Sequence, residues 1–422
     1  MKIVTLADIS LVDSTIAADL YGGSATTDGL WTAAKAAAGD YDTDAIVYYA
    51  AVEPNKVYKS LIEDNPVIPG SDATKWENLG ATDRWLMFDE FMETQSAFDT
   101  AFTVEIDASV TNYVSLFRVV AKEVTLTLFT NAQLIADGDC AADSFDKGTG
   151  WTHDAADDEY DCSGAQVADS NLSQATITTT AIKYLIKFTV QNYGAAGNIA
   201  GLAGGTAGTN VAADGDYAQV ITAGASGVAG LIADEDFIGS VTDISVQKVP
   251  KSETIDMDGT ALFDWYSYLL AAQVYKGTLR WEYPQYAAAT LRVTVAYVAG
   301  SDAKVGIMPI GYSVELGGTN FDSEIGYIDY SIKATDATFG YTYLSQGSYA
   351  DDGKFKVWIQ NTRIDAIKKL LVDNRGLATV LDFNNASTDY ESLVYYCFIG
   401  QNRISIPSNV QSRLTIEATG LI

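Results

Sequence analysis

The chain reads as an all-β protein, built of antiparallel β-sandwich or jelly-roll-like domains with one amphipathic helix in its C-terminal domain. Three observations lead there. Apolar and polar residues alternate with period two through long stretches, as in strands with one buried face. Gly-rich turns separate these runs at sandwich-like spacing. Helical spacing with a clear stop signal is confined to "NTRIDAIKKLLVDNRG". At 422 residues the chain exceeds one compact core and divides into about two to four domains.

The elements follow in order. Residues 1 to about 35, with "TIAADLYGG" and "GLWTAAKAAAG", read as a short irregular or helical arm. "AIVYYAAVEPNKVYKSLIEDNP" alternates on both sides of Glu53-Pro54-Asn55, which predicts a hairpin. Arm and hairpin make up 1–102. Within that stretch "KWENLGATDRWLMFDE" (Lys75 to Glu90) sets Trp76 and Trp85 around a Gly-containing turn, although the chain has only seven tryptophans. Such an aromatic cluster is either a sugar-binding platform or a hinge packed onto a core.

From Thr103, "FTVEIDASVTNYVSLFRVVAKEVTLTLF" predicts consecutive antiparallel strands. After Phe129 the composition turns to Asp, Ala, Gly, Ser and Thr until about Pro250, enclosing "QATITTTAIKYLIKFTVQNYG", "DYAQVITAG" and "FIGSVTDISVQKV". The expectation is a self-contained sandwich, 131–249, inserted into a β-sandwich body of 103–130 plus 250–311. Residues 312–422 form a C-terminal β domain. Its helix, about 361–375, places Ile364, Ile367, Leu370 and Leu371 on one face and ends at Gly376.

Composition excludes several functions. With 55 acidic against 26 basic residues and a net charge of −29, the field repels phosphate backbones, so nucleic acid is not an expected partner. The apolar runs fall short of the roughly 20 residues of a membrane span. The N-terminus "MKIVTLADIS" lacks the apolar block of a secretory signal, which predicts synthesis and folding in a cytoplasm. Cys140, Cys162 and Cys397 show no CxxC spacing; a Cys140–Cys162 bridge is sterically conceivable, but reduced, buried thiols suit that compartment. A single histidine, His153, rules out Ser-His-Asp chemistry and most zinc sites unless that residue carries it.

The chemistry-bearing candidates are few. Glycoside hydrolysis needs two carboxylates about 5–9 Å apart in a cleft, and no motif assigns such roles here, so the chain is expected not to be an enzyme. "DAADDEYD" could offer carboxylates to Ca²⁺ yet lacks the EF-hand pattern. Asp137 and Asp139, with Asp243 near the far end of the insert, form a second calcium candidate. Trp151, Tyr160 and Tyr193 fall in loops or strand ends of the insert, where rings can stack on a sugar face. Trp151 could equally plug the sandwich core. "GNIAGLAGGTAG" has no phosphate-loop spacing and reads as turns.

"VYKSLIEDN…DATKWENLGATDRWLMFD" resembles a segment of virion proteins from the tail region of tailed bacteriophages. The matching positions are Val57, Tyr58, Ser60, Thr74, Trp76, Leu79, Gly80, Thr82, Arg84, Trp85, Met87, Phe88 and Asp89. The Val57–Trp76 half is also similar to small chitin-binding-like modules. The tail-protein resemblance continues in "DWYSYLL", "YPQYAAATLRVTV", "KVGIMPIG", "IGYIDYSIK" and "LTIEATGLI", covering about 40–130 and 250–422. The insert resembles phage-borne carbohydrate-binding-like sandwiches, with Asp137 and Cys140 where such modules usually open Asn-Gly-Asp-Phe.

The resemblance implies a structural component at the tail tip, baseplate or fibre apparatus, partnered by other tail proteins and by further copies of itself as a trimer or ring. The insert would face host-surface glycans and act through avidity. It implies that Trp85, Met87 and Phe88 anchor the N-terminal region on the β-body, with Tyr58 and Trp76 as an exposed pair. Two other readings stand beside it: a pure tail scaffold that binds no ligand, and a glycan-degrading enzyme carrying an accessory binding module.

Overall fold

The computed structural model describes residues 1–51, 54–89, 91–175, 177–257, 277–297, 302–320, 322–335, 341–383 and 393–421. Among these the chain is predominantly antiparallel β-sheet, as its alternation predicts; α-helix is confined to Ala33–Ala38 and Ile364–Asp373. The segment "DWYSYLL" and the hairpin-turn residue Glu53 lie outside the described residues.

The centre of the molecule is a ten-stranded sheet. Its order is Thr278–Glu282, Tyr113–Phe117, Ile310–Glu315, Lys2–Leu6, Ala378–Asp382, Val394–Ser405, Gln411–Gly420, Tyr349–Gln360, Gly318–Thr319, with Glu324–Asp329 also paired to Tyr349–Gln360. A five-stranded sheet of Leu11–Ser14, Phe102–Asp107, Ala289–Ala296, Glu123–Thr130 and Lys251–Asp256 packs against its first strands. Val104, Leu126, Leu291 and Val293 from that sheet meet Val114, Leu116, Trp281 and Ile310 from the large one. Each such buried side chain stabilises the fold by about 1.5–3 kcal/mol relative to exposure.

Two expectations about chain order are corrected here. The first residues are no arm: Lys2–Leu6 pairs on both sides, with Ile310–Glu315 and with Ala378–Asp382, and Ile3 and Val4 are fully buried. Five residues are too few for a periodic signal to stand out in the sequence. The strands of 102–130 are also not consecutive neighbours. Phe102–Asp107 and Glu123–Thr130 flank Ala289–Ala296, whereas Tyr113–Phe117 crosses to the facing sheet. Alternation specifies a strand but not its partner. The boundary expected at 311/312 consequently falls inside the strand Ile310–Glu315, and the C-terminal strands continue the body's sheet.

The C-terminal helix Ile364–Asp373, preceded by a 3-10 turn, lies on this sheet by Ile367 and Leu371, with Ile364 and Leu370 at the margin. Arg280, Asp382 and Tyr113 tie three of the sheet's strands together. Arg280 Nη1 lies 2.8 Å from Asp382 Oδ2, and the Tyr113 hydroxyl donates to the same oxygen at 3.2 Å. Burial is the main reason the Tyr113 phenol is held well above its ordinary pKa, with the Asp382 charge adding to it.

The insert forms two five-stranded sheets drawn entirely from 146–249. One contains Asp146–Lys147, Ser170–Gln174, Ala229–Ala233, Ile199–Ala203 and Thr206–Ala207. The other contains Trp151–Asp154, Glu159–Ser163, Ile238–Val249, Lys183–Gln191 and Gly215–Thr222. Leu172, Ile199 and Leu231 of the first interleave with Tyr160, Ile186 and Val241 of the second in a core of their own. The chain enters and leaves through adjacent antiparallel strands, because Glu123–Thr130 pairs with Lys251–Asp256 and Gln133 bridges Gln247. A small cluster of Phe129, Leu185 and Val249 fills the joint.

Candidate interaction surfaces

The N-terminal hairpin Ile46–Tyr49 and Lys56–Ser60 extends into a four-stranded sheet with Gly29–Leu30 and Trp76–Ala81. The helix Ala33–Ala38 covers it, capped by the Thr32 hydroxyl and stopped by Gly39 at φ 77°. Its core is Ala36, Tyr41, Val47, Tyr58 and Trp76. Trp76 is 2% exposed and its Nε1 donates to the Val67 carbonyl at 2.7 Å. Tyr58 is buried with it. The expected exposed pair is therefore the plug of a small core. A domain of this size has few other large apolar groups to close over, so its rings turn inward.

The same correction applies in the insert. Trp151, 4% exposed, stacks at a tilt on Phe237 and donates Nε1–H to the Ser170 carbonyl at 3.3 Å. Tyr160 is fully buried, edge-on to Phe145, and its hydroxyl donates to the Ala142 carbonyl. Tyr193 is half-buried over Phe237, with its hydroxyl given to Gly197. Trp151 and Tyr160, whose faces are packed, have none to offer a sugar. His153 lies on Tyr160, and its Nε2 meets the Cys140 carbonyl at 2.8 Å.

The calcium candidates are engaged locally. Asp137 Oδ2 accepts from the Ala142 amide and the Ser144 hydroxyl, and both Asp137 and Asp243 occupy the left-handed region. Asp139 lies beside them, within electrostatic range of the Cys140 thiol. "DAADDEYD" is the hairpin linking Trp151–Asp154 to Glu159–Ser163, where Asp154 Oδ1 takes the Ala156 amide. Among the described residues no three His, Cys, Asp or Glu side chains are grouped so as to hold a metal ion. All three cysteines are free and buried, and burial pushes the Cys140 and Cys397 thiols up to about 12.

Trp85, Met87 and Phe88 sit at the junction of the N-terminal module and the body. Met87 and Phe88 join the body core, and Trp85 is buried edge-on to Phe88. The turn is pinned by the Met308 amide donating to Met87 O at 2.7 Å and by the Ser96 hydroxyl accepting from Met87 N. Asp83 wires the module to this turn by accepting from the Gly22 and Gly23 amides at 2.8 and 2.7 Å.

Beside these anchors opens a cleft of about 1250 Å³ between the N-terminal module and the ten-stranded sheet. Ile9, Leu79, Phe88, Phe91, Met308 and Leu377 make much of its wall. Trp85 also lines it, and the Trp85 indole N–H is buried without an acceptor. An unmet buried donor costs about 1–3 kcal/mol.

The second surface is a two-stranded ribbon. Glu324–Asp329 pairs with Tyr349–Gln360, and beyond Tyr330 the ribbon continues as Ile332–Thr335 against Thr342–Ser345. Among the described residues this outer half pairs with no other strand. Tyr327 is 70% exposed, Tyr343 62% and Leu344 79%; Ile325, Ile332 and Tyr349 are also exposed. Register places Ile325, Tyr327 and Tyr349 on one face, with Tyr327 and Tyr349 in edge contact, and pairs Ile332 with Ser345 and Ala334 with Tyr343 farther out. The ribbon's root is tied to the cleft rim: Ser348 Oγ donates to Glu93 Oε1 at 2.9 Å, and Arg118 bridges the same carboxylate at 2.9 Å. Hydrogen bonds from Arg118 and Ser348 hold the Glu93 carboxyl below the usual carboxylate range.

Sequence reasoning passed over both surfaces. The ribbon did carry a signal, since in "EIGYIDYSIK" apolar residues occupy both parities (Ile325 and Tyr327, Ile328 and Tyr330), as in a strand covered on two faces. The cleft carried none, because its walls come from four distant parts of the chain.

A third, shallower groove of about 700 Å³ runs along the edge strand Gly215–Thr222, between Tyr217, Gln219 and the turn 206–209. No helix among the described residues is long and apolar enough to cross a membrane. Compared with known proteins, the chain matches no family model and no curated sequence.

Proposed function

We propose that this chain is a non-enzymatic structural subunit of a tailed-bacteriophage virion, placed at the tail tip, baseplate or fibre apparatus, which works as an assembly of copies. The exposed ribbon carries this reading. Monomeric soluble proteins rarely leave more than about 300–600 Å² of contiguous apolar surface bare. Here Ile325, Tyr327, Ile332, Tyr343, Leu344 and Tyr349 are all exposed on one short ribbon, distributed over both of its faces. A surface of that kind is suited to burial against a partner. The resemblance of the Val57–Asp89 and Tyr283–Lys333 motifs to tail-region virion proteins names the kind of assembly.

In the same reading the insert is displayed on its double-stranded joint and aids adsorption to host-surface glycans. The buried Trp151 and Tyr160 take no part in that contact. The groove beside Gly215–Thr222, with Tyr217, Gln219 and backbone groups of 206–209 along it, is the surface open to a glycan chain.

The test is to probe purified phage particles with serum raised against the full chain, by immunoblot and by immunogold microscopy. Stoichiometric signal at one end of the tail is expected. A chain abundant in infected cells but missing from particles would sink the reading. Adsorption is read separately, as binding of the full chain to host envelope polysaccharide competed by soluble fragments.

A further inference from the structure

We propose that the outer face of the C-terminal strands binds a polysaccharide carrying a carboxylate or phosphate group at intervals along its chain, with Trp358 as the platform for a sugar ring. The proposal rests on the adsorption role above only for the source of that polysaccharide. It adds to the insert's groove a second surface with a stated ligand class.

Strand register builds the face. In Tyr349–Gln360 the alternation sends Val357 and Ile359 into the core beneath the C-terminal helix, and Lys354, Lys356 and Trp358 to the other side of the sheet. Trp358 stands opposite Arg413 and Arg413 opposite Ser405; one step along, Lys356 stands opposite Thr415 and Thr415 opposite Arg403. Directly opposed residues share a face, so these side chains form one surface. Its four strands at about 4.8 Å and five residues at about 3.3 Å make a platform roughly 15 Å on a side.

The indole is open where a sugar ring needs it. Trp358 is 38% exposed, and no other tryptophan among the described residues is exposed. Its partner on the free flank is Gly318, where a Cβ would meet nothing within 4 Å, so open space lies beside the indole. Such a ring stacks on the apolar face of a pyranose while neighbouring polar groups take the hydroxyls. Trp76 and Trp151, by contrast, are packed in cores.

Charge selects the ligand. Residues 354–422 hold eight lysines and arginines against six aspartates and glutamates, a net +2, whereas residues 1–353 hold 18 against 49, a net −31. An anionic chain is repelled by the second region and not by the first. On the face itself Asp322 Oδ2 accepts from Lys356 at 2.9 Å and from Arg413, Glu417 accepts from Lys354 at 2.6 Å, and Glu324 lies opposite Lys354. Arg403 is exposed and forms no ion pair among the described residues. One unpaired guanidinium suits an anionic group on one ring in several, and the interleaved carboxylates accept the hydroxyls that every sugar ring offers. A nucleic acid, charged at each nucleotide, would set its phosphates against Asp322 and Glu417.

The experiment titrates the full chain by calorimetry with hyaluronan, which has a carboxylate on every second ring, and with phosphomannan. Their carboxyl-reduced and dephosphorylated forms serve as neutral counterparts. Saturable binding of at least one charged polymer is expected, weaker as salt rises and weaker still for its neutral form. Trp358→Ala should weaken it by at least about tenfold and Arg403→Gln by about two- to fivefold, each with thermal unfolding unchanged. Because Arg403 is exposed, its variant reads the site even where loss of the indole disturbs the sheet. Binding unaffected by both substitutions, equal binding of the neutral forms, or no binding of either charged polymer would overturn the proposal. Tighter binding of a single-stranded oligonucleotide, lost in Trp358→Ala, would overturn it in favour of nucleic acid. Failure to bind in a chain that is present in particles defeats only this surface, whereas absence from particles defeats the adsorption reading and leaves the binding result standing.

Discussion

The insert and the ribbon are written in the same alphabet and end in opposite places. Both are antiparallel, and both carry tyrosine and isoleucine on their strands. Yet Tyr160 is fully buried and Tyr343 is 62% exposed. The insert owns two sheets, so each apolar face finds its partner within 146–249. The ribbon has only two strands, and among the described residues no second layer covers it. An apolar strand face is a demand for a partner, and the comparison shows where the chain meets that demand itself and where, among the described residues, it does not.

Breaking the insert's side of the comparison should have the largest effect. Trp151→Ala removes an indole packed on Phe237 and leaves a cavity, at a cost of about 3–5 kcal/mol. Calorimetry should show a low-temperature transition for the insert with the body's transition retained. An unchanged melt would mean that the indole is not a core plug.

The joint comes next. Glu105, buried on the body strand Phe102–Asp107, accepts from Lys187 of the insert at 2.6 and 2.8 Å and from Arg292 at 3.2 Å. Both cations are partly solvated, which screens the loss, so Glu105→Ala should destabilise by about 1–3 kcal/mol. Proteolysis near 131 and 250 should quicken. Equal cleavage rates would show that the strands alone hold the joint.

On the ribbon a substitution should barely register. Tyr343→Asp is expected to change the unfolding free energy of the isolated chain by less than about 0.5 kcal/mol. A larger loss in urea titration would place the ring in a core. Salt sharpens the same contrast: with a net charge of −29, copies repel, so association should strengthen as salt rises from low values to about 0.15 M, where the Debye length is about 8 Å. Weakening by salt, in sedimentation at matched concentrations, would point to ion pairing instead.

The smallest effect concerns the thiols. With Cys140 and Cys397 held up to about 12 by burial, the thiolate fraction at pH 8 is roughly one in ten thousand, and native chain should react with a thiol reagent only on unfolding. The sign on stability follows. Above about pH 8.5 the unfolded chain releases thiol protons that the fold retains, so stability falls as pH rises from there towards the folded value. Prompt labelling of native protein at pH 8 would contradict this.

Much of the architecture was legible. Period-two alternation specifies strands, the i, i+3, i+7 pattern of Ile364, Ile367 and Leu371 specifies the helix, and the change of composition at 131 and 250 marks a module that closes on itself. Met87 and Phe88 also go where "RWLMFD" pointed, into the body core. Less was legible of the surfaces. Tyr58, Trp76, Trp151 and Tyr160 were candidates for exposure because aromatics in polar loops look stranded, and the structure buries all four.

By itself, the sequence determined which residues form strands, where the chain turns and which segment folds apart, because dihedral preference and alternation act over a few residues. Only the tertiary structure decided which face of each strand is covered, that Lys2–Leu6 lies mid-sheet, and that a cleft opens beside Trp85. Those outcomes depend on partners hundreds of residues away, such as Leu381 opposite Ile3, and burial is a property of the pair rather than of either strand.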